Sequence, residues 1–554
     1  MAELELINGY PKAMRESIKL VEQTRSRRMN KLPPQMSMKE REAVLSTYHP
    51  DYVEGGKRTI SIGPNTGDLA PHEVVDLLEA WPLVNPAAVN LAQVDCDVDV
   101  LIIGGGLAGT SAALLAMDKG IPVDRIRMVN KLRHGDANSM MAQGGTQAAD
   151  RPEDSPVIHY LDIMGGGHFA NKPDVARALA EDAPIAIKWM SELGVLFDRN
   201  EDGSYLELSG GGTSRKRMHA CHDYTGMEEL RTLRDEFRNR GIPNVEYNPA
   251  VELLTDPSGR VNGAVMWDTE TEEYKVARAK AVIIATGGFG RLHIRSFPTT
   301  NHYGATADGI VLAYRAGARL RDTDTVQYHP TGAAFPQQII GLLLTEKLRT
   351  SGAQPVNKFG EEFVFPLEPR DVEAAAIIRE CYGAGNGIET PTGMRGVWLD
   401  TPLIDRLNGR GATEKSFPAM VRMMKRFGID MVKDPILVFP TLHYQNGGVE
   451  TDPMGRTNVE GLFVAGEVTG GVHGKNRLMG NSTMDCVVFG RRAGMAAAEY
   501  VRGIKDAGEP GFSHLERYKA MLQEAGIKTE RKAPILFPDY RGRRVVERRL
   551  DLVY

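Results

Sequence analysis

An apolar run that passes directly into a glycine-rich loop and then into a helix constrains this chain more than any other feature. Val98, Val100, Leu101, Ile102 and Ile103 are nearly continuous, as a strand covered on both faces requires. Gly104-Gly105-Gly106-Leu107-Ala108-Gly109 follows. Leu107 to Lys119 then reads as a helix stopped by Gly120, and Ile126 to Val129 as the next strand. This is a β-α-β unit with the G-x-G-x-x-G spacing at its turn. The first glycine permits the tight turn, the second lets backbone amides approach a pyrophosphate, and the third lets helix and strand pack closely. The helix N-terminus adds unpaired N–H groups and a partial positive charge. A simple NAD site would place an acidic residue at the end of the second strand, and Asn130-Lys131 stands there instead.

The rest of the chain divides around this unit. With 554 residues there is room for roughly two to four domains. Residues 1–95 read as an extension that wraps its own core or a partner, with Met14 to Arg28 as an amphipathic helix and several Gly/Pro-punctuated segments after it. Ala281 to Ala285 is a second buried strand, ending in Thr286-Gly287-Gly288. Between Gln327 and Leu442 the texture is mixed and less strand-like, which suggests an inserted domain. Ala493 to Val501 reads as a helix packing back on the sheet.

Composition excludes several classes. A net charge of −5 is small for this length and argues against nucleic acid or an anionic membrane surface as partner. The basic cluster from Arg541 to Arg549 reads as a solvated or partner-facing tail. Cys96, Cys221, Cys381 and Cys486 include no C-x-x-C pair, so no cysteine-ligated cluster or zinc site is expected within the chain, and no metal is assigned. Scattered thiols fit a reducing cytosol. No stretch approaches the roughly 18 apolar residues of a membrane span.

Further motifs lie far downstream. Met141-Ala142-Gln143-Gly144-Gly145-Thr146 gives a second glycine-rich approach, suited to a planar ring. Gly466-Glu467-Val468-Thr469-Gly470-Gly471 leads into His473 and Asn476-Arg477-Leu478, which sets a fixed cation beside the nucleotide site. In order along the chain, Gly104 to Gly109, Ala142 to Gly145, His219 to Gly226, Ala285 to Gly288, Gln327-Tyr328-His329-Pro330-Thr331-Gly332, Leu344-Thr345-Glu346, Arg370-Asp371, His443-Tyr444 and Asn476-Arg477-Leu478 resemble the flavoprotein subunits of the succinate dehydrogenase and fumarate reductase family, which includes L-aspartate oxidase. The resemblance runs from about Asp97 to Arg492.

This resemblance implies an α/β fold: a Rossmann-like FAD-binding domain (96–326 and 443–505), an inserted α+β capping domain (327–442) that closes over the flavin, the N-terminal extension, and a short helical tail (506–554). It implies FAD in extended form, bound by Gly104, Gly106, Gly109, Asn130, Lys131, Gln143, Gly144, Gly145, Thr286, Gly287, Glu467 and Ser482. Many relatives attach the flavin to a histidine four residues before Ala-Gln-Gly-Gly. Asn138 holds that register here and cannot form the bond, while His134 lies four residues further back, so FAD is expected to be non-covalent. Arg477 and His443 would hold one carboxylate of a dicarboxylate, and His329 with Thr345-Glu346 the other.

The chemistry so implied is hydride transfer from FADH⁻ N5 to fumarate, giving succinate. Arg370 would deliver the proton, and Glu346 with Arg349 would relay it from solvent. An arginine stays protonated at ordinary pH, so it can act as an acid only toward a strongly basic carbanion and with prompt reprotonation. Thr350-Ser351-Gly352-Ala353-Gln354-Pro355 departs from the family's glycine-rich run, which widens the substrate reading to fumarate-like enoates. Electrons would come from a separate iron–sulfur subunit. The reading places the chain in the cytoplasm, with peripheral attachment to the inner face of the membrane through partner subunits as the alternative. L-aspartate oxidase, the succinate dehydrogenase direction, and a non-catalytic electron-relay flavoprotein are the competing functions.

Overall fold

A continuous run of apolar side chains forms a strand where both faces are covered, and residues 100–103 are all buried. The computed structural model describes residues 6–29 and 32–540. The N-terminal segment opens with α1 (Lys12–Arg28) and α2 (Met38–Tyr48). β1 (Cys96–Ile103), α3 (Leu107–Asp118) and β2 (Ile126–Val129) then make the expected β-α-β unit. β3 (Asn244–Val245), β4 (Ala250–Thr255), β5 (Val261–Asp268) and β6 (Glu273–Ile284) complete most of a seven-stranded sheet. Its order is β3-β2-β1-β6-β5-β4. β6 runs parallel to β1 with Ile284 opposite Ile103, and the strand Leu462–Val464 pairs in parallel with its C-terminal end. Both glycine loops, 104–106 and 286–288, therefore leave the same end of adjacent parallel strands. That is where α/β sheets bind ligands.

A second sheet lies in the segment that reads from sequence as poor in strands. It comprises β7 (Val326–Ala333), β8 (Gln354–Val356), β9 (Arg395–Asp400) and β10 (Ile436–Gln445), in the antiparallel order β7-β10-β9-β8, with Ile388–Glu389 on β9. The reason for the difference is local. β7 contains Pro330 and Gly332, and its pairing with β10 shifts register between Gln327 and Tyr328 and again between His329 and Gly332. Turn-forming residues inside a buried strand are the signature of such bulges. α4 (Arg370–Ile378) crosses β7, and α5 (Asn481–Arg502) packs along α3, as expected for the 493–501 segment.

The N-terminal segment packs on its own chain. α1 buries Met14, Ile18, Val21, Arg25 and Arg28 along one face. The stripe ends in two arginines because both reach Asp400 at the end of β9, at 2.7 and 2.6 Å, with all three side chains buried. Arg15 pairs with Asp434 at 2.6 Å, and the Tyr10 hydroxyl donates to the Pro435 carbonyl. Further along, the Asn65 amide donates to the Leu320 carbonyl, and Trp81 pairs with Lys532 after α6 (Ser513–Glu524). The first ninety or so residues thus touch both sheets. The Arg541–Arg549 cluster lies outside the described residues. Among the described residues, no helix is long and apolar enough to cross a membrane.

Asp400→Ala leaves two buried guanidiniums without a counter-ion, a loss of about 3–5 kcal/mol for a broken buried pair. The expected result is a lowered melting midpoint, with α1 becoming accessible to trypsin at Arg25, Arg27 and Arg28.

Candidate active site

The two sheets meet over a cavity of about 1620 Å³, counting its open mouth. The cavity begins at the end of β1 and β2, lined by Gly104, Gly105, Gly106, Asn130 and Lys131. It continues past Asn138, Gln143, Gly144, Gly145, Thr286, Gly287, Glu467 and Ser482, and ends among His329, Thr345, Glu346, Arg370, His443 and Arg477. Of the residues singled out in the sequence, Gly109 and Arg349 do not line it. Gly109 acts by packing: a Cβ there would stand 1.9 Å from the Gly104 carbonyl oxygen. The stretch 350–355 contributes nothing to the lining. It leads instead into β8, where Gln354 accepts a hydrogen bond from Arg28 at 2.8 Å.

The residues at the sheet end suit a dinucleotide. Gly104 adopts φ +111° and a Cβ there would sit 2.3 Å from the Ala285 carbonyl oxygen, so the loop lies against the partner strand. Gly106 caps α3 without a side-chain cap bond, leaving first-turn amides beside the cavity. The buried Gln143 Oε1 and Thr286 Oγ1 have no partner among the described residues, and a bound ring system with polar edges would supply one. Glu467 accepts from the Gln445 amide and from Asn138 Nδ2, and burial raises its carboxyl above the usual range. Asn138 also accepts from the His302 amide at 2.6 Å, which fixes its side chain. His134 faces elsewhere: it is buried against Phe237, with Nε2 3.0 Å from Thr110 Oγ1, and burial pushes the ring down to about 4.

At the far end, charge dominates. Arg477 is 2 % exposed, and its Nε and Nη2 have no hydrogen-bond partner among the described residues. Its guanidinium lies over the Tyr444 ring at 4.3 Å. Burial, with Arg370 nearby, pushes it down to about 9, with Tyr444, Glu467 and Glu346 opposing this only in part. Arg370 donates through Nε to Glu346 at 2.6 Å and through Nη1 to Gln327 at 3.0 Å. Gln327 in turn donates to the Arg477 carbonyl at 2.6 Å, tying the two arginines together. Burial would raise the Glu346 carboxyl, but Arg370 and Arg349 outweigh it and hold the group below the usual range.

Both histidines stay neutral, because burial and the neighbouring arginines push them well below their ordinary value. The Thr331 amide donates to His329 Nδ1 at 3.2 Å, so the proton sits on Nε2. The Thr300 hydroxyl bonds His443 Nδ1 at 2.7 Å, and the two rings lie 5.0 Å apart. Thr300, Asn301 and Gln327 are supports to which the sequence alone assigns no role; only the last carries a signal, from its place beside His329.

Arg349 is fully buried rather than opening to solvent, and it makes its hydrogen bonds to Glu373 and the Pro366 carbonyl. Its Nη2 stands 3.4 Å from Glu346. Glu373 is not among the residues expected from sequence. Its one signal is spacing: Arg370 and Glu373 are three apart on α4, as Glu346 and Arg349 are on the adjoining turn, with the charges reversed.

A family model described as FAD binding domain matches residues 99–483. The chain is 37% identical over 453 residues to a component of the CoM/CoB fumarate reductase of Methanothermobacter marburgensis, covering 78% of each chain. This chain belongs to the FAD-binding flavoprotein family of fumarate reductase, succinate dehydrogenase and L-aspartate oxidase. It is 36% identical over 455 residues to L-aspartate oxidase of Streptomyces coelicolor, covering 78% of this chain and 75% of that one. Among solved structures it resembles a mutant of E. coli quinol fumarate reductase FrdA, at TM-score 0.69 and 32% identity over 77% of this chain and 74% of that one. The flavoprotein is thus an FAD-dependent oxidoreductase by family, and the cavity described above is where its cofactor residues converge.

Gly104→Ala sets a Cβ against the Ala285 carbonyl and forces an L side chain into the positive-φ region. The purified variant is expected to carry little flavin, with FAD affinity down about tenfold or more and the far-ultraviolet circular dichroism retained.

Proposed function

We propose that this flavoprotein reduces fumarate, or a closely similar enoate dicarboxylate, at the charged end of the cavity. The observation that carries the reading is the half-unpartnered, buried Arg477 lining the same cavity as the Arg370–Glu346 pair and the two neutral histidines. Near neutral pH, three guanidiniums (Arg349, Arg370, Arg477) stand with one ionised carboxylate, Glu346, because burial raises Glu373 to about 8 against the pull of Arg349. Burial raises Glu467 as well, so the local excess of positive charge suits an anionic ligand such as a dianion.

In this reading Arg477, with its bidentate fork, and His443 take one carboxylate, and His329 with Thr345 takes the other. Neutral His329 donates from Nε2 without adding charge. Bound FAD supplies the hydride chemistry, and Asn138 and Glu467 flank it without a covalent attachment. Arg370 holds the proton delivered to the second alkene carbon, and ionised Glu346 keeps its guanidinium aimed and draws a replacement proton toward it. Arg370 and Arg477 also face the negative charge that develops on the substrate carboxylate, the largest expected contribution to rate. We take residues 327–442 as the cap that excludes water and 96–326 with 443–505 as the FAD-binding domain.

Four free cysteines, two of them buried, give no cluster ligands, so we assign electron supply to a separate iron–sulfur subunit. The similarity to L-aspartate oxidases supports one second reading, in which the same clamp holds aspartate and the flavin is reduced by it.

The deciding experiment is anaerobic reoxidation of a reduced viologen by the FAD-loaded protein. Rapid fumarate-dependent reoxidation is expected. Flavin bleaching by aspartate, with no response to fumarate, would replace the reading by the oxidase. Arg370→Ala is expected to lower kcat by about 10²–10⁴-fold while FAD stays bound. Because both histidines are already neutral, affinity for a non-reacting dicarboxylate such as malonate should stay flat through the ordinary histidine range near pH 6.5. A rise in affinity as pH falls through that range would mean that one of them binds as a cation. Acid denaturation should release all the flavin to the supernatant.

A further inference from the structure

A proton relay that ended at Arg349 would end inside the protein, because its side chain has no solvent exposure. Something must refill it. The group bonded to Arg349 on its far side is Glu373, which is also fully buried, and whose Oε1 has no hydrogen-bond partner among the described residues. The two acid–arginine pairs interlock: α4 presents Arg370 to Glu346 and, one turn on, Glu373 to Arg349. Arg349 therefore sits between two carboxyls, with Nη2 toward Glu346 and Nη1 on Glu373.

The same face leads outward through the N-terminal segment. Glu368, just before α4, is buried and accepts from the Met36 amide at 2.6 Å. It pairs with Arg41 of α2 at 2.8 Å, and the Arg41 side chain is 24 % exposed. α2 packs directly on α4.

We propose that Glu373 is the proton-loading residue of this flavoprotein, passing protons inward to Arg349 and receiving them from solvent on the side of Glu368 and Arg41. The inference rests on the enoate-reductase reading above and extends it beyond the three residues visible in sequence. For each substrate reduced, Arg370 gives one proton to carbon, the hydride being what bound FAD would supply. Glu346 hands a proton to Arg370 as it takes one from Arg349 Nη2. Arg349, left as a neutral guanidine whose bare nitrogen is Nη2, shifts to the tautomer with the bare nitrogen at Nη1 and takes the Glu373 carboxyl proton there, and solvent returns one to Glu373. One proton crosses the chain per turnover, and every group ends in its starting state.

The charged groups that act on Glu373 are Arg349 and Glu346 from the turn beside it, Arg370 on its own helix, and Glu368 ahead of that helix. Burial raises the carboxyl, the arginines oppose this, and the neighbouring acids add to it, leaving the group at about 8. It therefore holds a proton at neutral pH and loses it as pH rises through that value. Glu346, held low, cannot act as a store at rest.

The test compares wild type with Glu373→Gln and Glu373→Asp in the viologen assay from pH 6 to about 9.5, with FAD content measured for each. Glutamine keeps the size and a hydrogen bond to Arg349 but carries no transferable proton. Wild-type kcat is expected to fall as pH rises through about 8. In Glu373→Gln, kcat should drop by about tenfold or more at pH 7, with the alkaline fall gone, a larger solvent isotope effect, and an unchanged KM. Glu373→Asp should recover part of the rate and show a displaced alkaline fall. Infrared pH-difference spectra should show a buried protonated-carboxyl band in wild type that is missing in Glu373→Gln. A Glu373→Gln enzyme with wild-type kcat and pH profile would overturn the inference and leave the reductase reading standing. If Glu373→Gln fails to hold FAD, Glu373→Asp decides alone: wild-type rate and an unshifted profile overturn the inference. A wild-type protein inert toward fumarate sinks the underlying reading, and this inference with it.

Discussion

A cluster of guanidiniums held away from water, with too few anions beside it, is the constraint on which the rest of this structure depends. Isolated buried charge is costly, so such a cluster persists only where rigid elements hold it and some further anion completes it. Arg477 hangs from a glycine-rich loop, Arg370 from the first turn of α4, and Arg349 from the short turn after Glu346. Gln327 on β7 joins two of them by bonding the Arg370 side chain and the Arg477 backbone. Remove the ligand and the protein must tolerate electrostatic repulsion. That condition favours a tightly tied surround, which the two sheets and the N-terminal segment provide.

The bulges of β7 have a related physical basis. A regular strand would alternate its side chains between faces. The register shifts on either side of His329 break that alternation where β7 meets β10, and they bring His329 and His443 into edge contact over the cavity. Gly332 is part of the same device, since a Cβ there would stand 2.1 Å from Thr441 Cγ2. The strand loses regular pairing and gains a neutral donor at the wall of the cavity.

What is legible in the sequence is whatever a short local pattern encodes. β1, the glycine loop and α3 follow from apolar continuity and glycine spacing, and the cavity lining at Asn130, Gln143, Thr286 and Glu467 follows from ordered motifs. The sheet of 326–445 is not legible, because its strands carry prolines, glycines and polar residues that satisfy one another only in three dimensions. The buried face of α1 shows in the sequence as a stripe, yet nothing local announces that Arg25 and Arg28 continue it, since their partner Asp400 is more than 370 residues away. Arg349 reads as open to solvent for a similar reason: a charged residue in a charged stretch looks exposed until its partners are known.

The way the N-terminal segment spans the molecule has a mechanical meaning. α1 is riveted to β9 and to the 434–435 turn, while Asn65 and Trp81 are fastened to the nucleotide-binding half and to the strand after α6. The chain between these anchors is a strap of fixed length laid across the seam between the sheets. Any movement that opened the seam would have to peel α1, break its two buried ion pairs, or draw up slack from the 49–60 stretch. Through its anchors the segment ties the position of α1 to both sheets at once.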